Sequence, residues 1–99
     1  MTHATANELR STLSAVADLL EAVNEPFWSE HARRARCIHE FDHLKWTVRR
    51  WFGGMGSFND LVLSQLNGHT GTEAQLREAN QRLQVMSSQI FQLSQDKDL

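Results

Sequence analysis

The segment with the most recognisable chemistry is His39-Glu40-Phe41-Asp42-His43, which has the spacing H-E-x-x-H. On one uninterrupted helix this spacing places two imidazoles on the same face, where they can bind zinc beside a carboxylate that acts on a metal-bound water. The surrounding sequence argues against a site of this kind, because Phe41 and Asp42 have the pattern of a junction between two helices. We therefore expect no metal, no cofactor and no catalytic residues. A zinc-dependent hydrolase that uses His39, Glu40 and His43 is kept as an alternative function.

A glycine cluster, Gly53, Gly54 and Gly56, is the second candidate for chemistry. A phosphate-binding loop of the P-loop type requires a lysine directly after its glycines, and here Ser57 and Phe58 follow instead. Glycine adopts positive φ at no steric cost, so the cluster predicts a sharp turn that ends a helix.

Trp46 and the arginines near it form the third candidate. On a helix, Trp46 lies about 160° around the axis from both Leu44 and Val48, with Arg50 one turn further on. An outward-facing tryptophan beside arginine is typical of a protein-binding surface. Burial of Trp46 against the first or the last helix is the alternative. The predicted partner-binding residues are Trp46, Arg49, Arg50, Arg33 and Arg36.

The charges are unevenly distributed around a net charge of −2. Residues 1–30 are mainly acidic and residues 33–50 mainly basic. Either these segments pair within the fold, or the basic segment binds an acidic partner. Nucleic acid is disfavoured as the partner because the net charge is negative and no nucleic-acid-binding motif is recognised.

Length and composition indicate the class of protein. A chain of 99 residues with 40% hydrophobic residues predicts a single domain over 1–99. No apolar run approaches the roughly 20 residues that a membrane span needs. The N-terminal segment lacks the basic start and apolar core of a signal peptide, and Cys37 is the only cysteine. We therefore expect a cytoplasmic protein without a membrane segment.

The apolar pattern predicts an all-α fold in which two long amphipathic helices flank two shorter ones, with the glycine-rich loop between helices 3 and 4. The predicted helices span residues 5–23, 26–39, 43–52 and 73–94, and residues 95–99 form a frayed tail. Helical spacing connects Leu9, Leu13, Val16, Leu20 and Val23 in the first helix, and Leu76, Ala79, Leu83, Met86, Ile90 and Leu93 in the last. The last stripe has heptad spacing, so this helix packs either against the first helix or against a second copy in a homodimer.

Several residues predict where the elements begin and end. Pro26 suits the first turn of the second helix. We expect this helix to bury Phe27, Trp28 and His31. Asp42 is the predicted N-cap of the third helix. Thr72 with Gln75 predicts a capping box, Ser57 with Asp60 a short helical turn, and Asn67-Gly68 a turn.

Residues 52–61, Phe-Gly-Gly-Met-Gly-Ser-Phe-Asn-Asp-Leu, resemble the central segment of a family of small uncharacterised bacterial helical proteins. Glu25-Pro26-Phe27-Trp28 and Asn67-Gly68-His69 fit the same pattern. The resemblance covers about residues 19–94 and implies no enzymatic activity and no catalytic residues.

These observations together predict a non-catalytic cytoplasmic protein-binding module. By analogy of size and class, it resembles immunity proteins, which neutralise a bacterial toxin by occluding it. The expected partner is another protein, such as a toxin with an acidic patch, and a homodimer through the C-terminal helix is the further possibility.

Overall fold

The computed structural model describes residues 2–53 and 57–95. This part of the chain contains no strand and folds into four α-helices and two 3-10 turns. The α-helices are α1 (Thr2–Ala22), α2 (Pro26–Arg36), α3 (Phe41–Arg49) and α4 (Glu73–Ser94), and the 3-10 turns are Phe58–Asp60 and Gln65–Asn67. The predicted all-α class with two long and two shorter helices is therefore confirmed.

The two predicted apolar stripes form the core. All five stripe residues predicted for the first helix are buried, although the last of them, Val23, follows the end of α1. Leu76, Ala79, Leu83 and Ile90 of α4 are also buried, whereas Met86 and Leu93 are half-buried. α1 packs along α2 and along α4, and α3 packs on α4. The heptad stripe of α4 is thus covered by other helices of the same chain.

The turn between α1 and α2 is held by hydrogen bonds to a distant loop. Asn24 takes a positive φ of 61°, and Pro26 begins α2 as predicted. Glu25 caps α2 by accepting a bond from the Trp28 N–H, and its other carboxylate oxygen lies 2.8 Å from Nε2 of buried His69. Since the Ser64 N–H donates to Nδ1 of the same imidazole, the proton of the neutral ring is on Nε2, which donates to Glu25.

The connection between α2 and α3 differs from the prediction. α2 ends at Arg36 instead of residue 39, and α3 begins at Phe41 with Glu40 as its N-cap, so the predicted N-cap Asp42 is wrong. The Arg10 side chain explains the earlier helix end, because it donates to the carbonyl oxygens of Ile38 (2.8 Å) and His39 (2.9 Å). These carbonyls therefore have partners without belonging to a helix.

Asp42 lies in the first turn of α3, where a negative charge interacts favourably with the helix dipole. Its carboxylate is 3.5 Å from the ammonium group of Lys45, a side chain that is itself buried.

The chain between α3 and α4 matches the prediction in several places. Gly53 and Gly68 have positive φ values of 113° and 86°, and Thr72 forms the predicted capping box with Gln75. Ser57 precedes a 3-10 turn, as expected, although its side chain makes no capping hydrogen bond. Gly54 and Gly56 of the predicted glycine-rich loop, and residues 96–99 of the predicted frayed tail, lie outside the described residues.

Candidate functional site

A groove of about 410 Å³ lies between α2 and α3, and aromatic side chains make up much of its lining. We call it the aromatic groove. It is lined by Phe27, Trp28, His31, Trp46, Thr47, Arg50, Trp51, Gly53 and Ser57, which include all three tryptophans of the chain.

The α3 wall of the aromatic groove has the geometry that helical spacing predicts. Leu44 and Val48 are fully buried, and Trp46 on the opposite side of the helix is 55% exposed. The guanidinium carbon of Arg50, one turn later, lies 4.7 Å from the centre of a Trp46 ring, within the range of a cation–π interaction. The outward orientation of Trp46 is thus the correct one of the two alternatives.

The α2 wall differs from the prediction, because Phe27 is 59% exposed and not buried. Its neighbour Trp28 turns inward instead and packs edge-on against Trp51 and Phe58, at centroid distances of 5.6 and 5.1 Å. Two consecutive helical residues point about 100° apart, so they cannot both occupy one inward position. The exposed Phe27 therefore forms a second rim opposite Trp46.

His31 is held against Phe27 and is half-buried, which is less than predicted. Their ring centroids are 4.3 Å apart, and Nδ1 of His31 lies 2.8 Å from the carbonyl oxygen of Phe27. In this arrangement Nδ1 donates to the carbonyl, and Nε2 is the nitrogen that can bond to a partner.

The floor of the aromatic groove rests on a packed cluster of rings. Trp51 and Phe58 are buried and lie 5.5 Å apart, and Trp28 contacts both. Aromatic pairs at such distances add to the stability gained by burial, so the floor is a fixed surface beneath the two exposed rims.

The aromatic groove has no acidic residue among its lining side chains. Its ionisable groups are the guanidinium of Arg50 and the imidazole of His31. Arg50 forms no ion pair with any carboxylate of the described residues, and its side chain is exposed. The groove thus combines apolar rims with a cation that is available to an acidic group.

The other predicted partner-binding arginines lie elsewhere. Arg33 pairs with Asp18 (3.1 Å) and Glu21 (2.7 Å) of α1, and Arg36 donates to the Ser14 hydroxyl (2.9 Å). Pairing of the acidic first helix with the basic segment is therefore confirmed for Arg33.

Arg49 points away from the aromatic groove, and its Nε donates to the carbonyl oxygen of Ser94 at the end of α4. Of the five predicted residues, the structure brings together Trp46 and Arg50.

The pairing of Arg33 with Glu21 affects the ionisation of both groups. The hydrogen bond from Arg33 lowers the pKa of the Glu21 carboxyl, with a smaller contribution from the positive charge of the same guanidinium. The carboxylates of Glu21 and Asp18 raise the pKa of Arg33, mainly because they accept hydrogen bonds from its guanidinium.

The His39–His43 segment does not form the geometry of a zinc-binding helix. His39 and Glu40 precede α3, and His43 lies within its first turn, so the two imidazoles are not one turn apart on a single helix. Within residues 2–53 and 57–95, no group of three histidine, cysteine, aspartate or glutamate side chains is placed to hold a metal ion.

Comparison with known proteins identifies a family. The family described as Domain of unknown function (DUF6966) matches residues 21–72, and since this is more than half of the chain, the chain belongs to that family. The matched segment includes every residue that lines the aromatic groove. No curated protein and no solved structure matches the chain. None of the described helices is both long enough and apolar enough to cross a membrane.

Proposed function

Starting from membership of a family whose function is unknown, we propose that this chain is a non-catalytic cytoplasmic protein-binding module. The partner is a protein with an acidic patch, and it docks on the aromatic groove. The observation that supports this proposal best is the exposed Trp46 ring with the Arg50 guanidinium against it, facing the exposed Phe27 across the groove.

The chemistry of the groove favours an acidic partner over a basic one. A carboxylate can pair with Arg50 at the rim, while an apolar side chain next to it covers Phe27 and Trp46. Tryptophan and arginine are the residue types that most often dominate binding energy at interfaces. Opposite charges on the two surfaces also accelerate the encounter.

One role that fits such a module is that of an immunity protein, which occludes a toxin and needs no catalytic group to do so. The product of a neighbouring toxin-like gene is the first candidate partner to test. The geometry gives no support to the alternative of a zinc hydrolase, because His39, Glu40 and His43 do not converge on one site.

The proposal is tested by calorimetric titration of the full chain with two short peptides, one built from glutamate and leucine and the other from lysine and leucine. We expect the acidic peptide to bind more tightly. Trp46→Ala should weaken its binding by about thirtyfold, as expected for a hot-spot residue worth ~2 kcal/mol. Arg50→Ala should weaken it and reduce its dependence on salt.

Arg77→Ala is the matched control, because Arg77 is an exposed arginine on α4 that does not line the aromatic groove. Equal affinity for both peptides, or an unchanged affinity in Trp46→Ala, would show that this surface is not the docking site.

A further inference from the structure

The outer surface of α4 is unusual because it carries no charge over its second half. Charged residues make up 22% of the chain, yet none occurs between Arg82 and Asp96. Protein interfaces are depleted in lysine, glutamate and aspartate relative to the remaining surface. The C-terminal half of α4 therefore has the composition of a contact surface and not of a solvated helix.

Two shallow depressions lie along this part of α4, between the helix and the segment that follows α3. Their volumes are about 460 and 490 Å³, and they share Asn59, Ser87 and Ser88. None of the described residues that line them is charged. The first depression is lined both by apolar side chains, of which Phe58 and Leu83 are buried, and by amide and hydroxyl side chains.

The large apolar side chains that α4 exposes are placed symmetrically along this surface. Val85 is 60% exposed and Phe91 is 45% exposed. They lie three residues before and three residues after Ser88, and about 60° to either side of it around the helix. Phe91 contacts Phe52 with a centroid distance of 5.2 Å, but much of its ring remains accessible.

We propose that two copies of this chain form a symmetric dimer in which their α4 helices cross antiparallel at Ser88. In this arrangement residues equally far before and after Ser88 lie at the same level. Gln84 of one copy is then level with Gln92 of the other, and Phe91 of each copy lies over the first depression, beside Gln84 of its partner. The small Ser88 side chain allows close approach of the two helices at the crossing.

The absence of charge indicates a second copy as the occupant. A two-fold axis places a surface against itself, so a charged residue near the axis would face its own like charge. Glutamine and serine side chains each contain a donor and an acceptor and can therefore bond to an identical copy. The dimer surface and the aromatic groove share only Gly53 among their described lining residues, so the two proposals can fail independently.

The test is sedimentation equilibrium of the full chain over a range of micromolar concentrations. We expect a reversible monomer–dimer equilibrium. Ser88→Arg should raise the dissociation constant by at least roughly tenfold, because two guanidinium groups would meet at the axis. Gln89→Arg is the matched control, since this exposed residue lies about 100° further around the helix, and it should leave the constant unchanged.

A charge-pairing experiment locates the axis. The Ser88→Asp variant alone should also be monomeric, because its two carboxylates would meet at the axis. An equal mixture of the Ser88→Asp and Ser88→Arg variants should form a mixed dimer. A chain that stays monomeric throughout, or a dimer that Ser88→Arg does not weaken, would overturn the proposal.

If the Ser88→Arg variant has a weaker helical circular dichroism signal than the native chain, oxidative cross-linking of cysteine variants is the test in its place. In a Cys37→Ser background, Ser88→Cys should form an interchain disulfide and Gln89→Cys should not. Equal cross-linking of the two variants would exclude the proposed axis.

Discussion

Arg33 holds α2 to α1 through two carboxylates that lie on the same side of α1. Its Nε donates to Glu21 and one of its terminal nitrogens donates to Asp18. The Asp18 and Glu21 side chains remain largely exposed, at 75% and 57%. Solvent and salt therefore screen these pairs, and their contribution to stability depends on pH and on ionic strength.

The lowered pKa of Glu21 gives this contribution a direction. A carboxyl whose pKa is lower in the folded state stabilises the fold above the pKa of the unfolded chain, and this stabilisation disappears as the pH falls through the folded-state pKa. We expect Glu21→Gln to lower the free energy of unfolding at pH 7, with the difference from the native chain shrinking below the ordinary glutamate pKa of about 4.3 and vanishing below the lowered folded-state pKa. Urea denaturation at a series of pH values measures this difference.

Glu78→Gln is the matched control, because Glu78 is exposed and forms no ion pair with any of the described residues. Its stability should follow that of the native chain across the series. A loss in Glu21→Gln that stays constant down to pH 3 would show that the carboxylate charge is not responsible.

At the scale of single residues, helical geometry predicted the direction of Trp46, since Leu44 and Val48 are apolar and define the inward side of α3. It could not predict which of Phe27 and Trp28 turns inward. That choice depends on Trp51 and Phe58, which pack against Trp28 and reach it from a different part of the chain. The sequence contained one signal, namely that two neighbouring aromatic residues on a helix cannot share one inward position.

At the scale of helices and loops, the side-chain amide of Asn80 joins α4 to the backbone of Leu63 in the segment before it. Asn80 Oδ1 accepts from the Leu63 N–H and Asn80 Nδ2 donates to the Leu63 carbonyl, both at 2.8 Å. Leu63 is buried and belongs to no helix that could satisfy these groups. The pair of bonds therefore fixes the path of the chain into α4.

Asn80→Ala removes both bonds and leaves two partly buried backbone groups without partners. We expect it to lower the free energy of unfolding by about 2 to 3 kcal/mol, as measured by chemical denaturation. Asn80→Asp should also destabilise at neutral pH, because a carboxylate oxygen would then face the Leu63 carbonyl.

Gln81→Ala changes the exposed neighbour of Asn80 and should stay within about 0.5 kcal/mol of the native chain. A similar loss in both alanine variants would point to a general effect on α4 and not to the two hydrogen bonds.

The helices themselves followed from apolar spacing, but several of their boundaries did not. α1 begins at Thr2 instead of residue 5, and α3 spans Phe41–Arg49 instead of residues 43–52. Asp42 is a strong N-cap by residue type, yet the helix begins before it. The reason is tertiary, because Arg10 of α1 takes up the carbonyl groups of Ile38 and His39 and so separates α2 from α3. Local sequence around residue 40 contains no sign of this interaction.

For the molecule as a whole, the segment that matches the family contains only part of the core. Residues 21–72 include α2 and α3 but only the last two residues of α1 and none of α4. The fully buried Leu9, Leu13 and Ile90 all lie outside the matched segment. The aromatic groove is therefore supported by helices that the family match does not include.

A peptide of residues 21–72 should consequently fail to fold, because it lacks α4, on which α3 packs, and nearly all of α1, on which α2 packs. Far-UV circular dichroism should show little helix, and its amide proton signals should lack the dispersion of the full chain. A cooperative thermal transition in this peptide would show that the shared segment is a folding unit by itself.

At this scale the sequence predicted four helices, two long and two shorter, and the packing of α4 against α1 as one of two alternatives, because repeated apolar spacing indicates both. The aromatic groove could not be predicted, since it exists only where α2 and α3 meet. Trp46 and Arg50 were identifiable on one helix, but Phe27 and His31 become part of the same surface only through the angle between the helices.

The position of all three tryptophans in one groove has an optical consequence. The chain contains no tyrosine, so its near-ultraviolet absorption and its intrinsic fluorescence both arise almost entirely from this single surface. Any molecule that displaces water from the Trp46 ring should shift the emission to shorter wavelength, whereas events on the far side of α4 should leave the spectrum almost unaltered. The unlabelled protein is thus its own fluorescent sensor for occupancy of the groove.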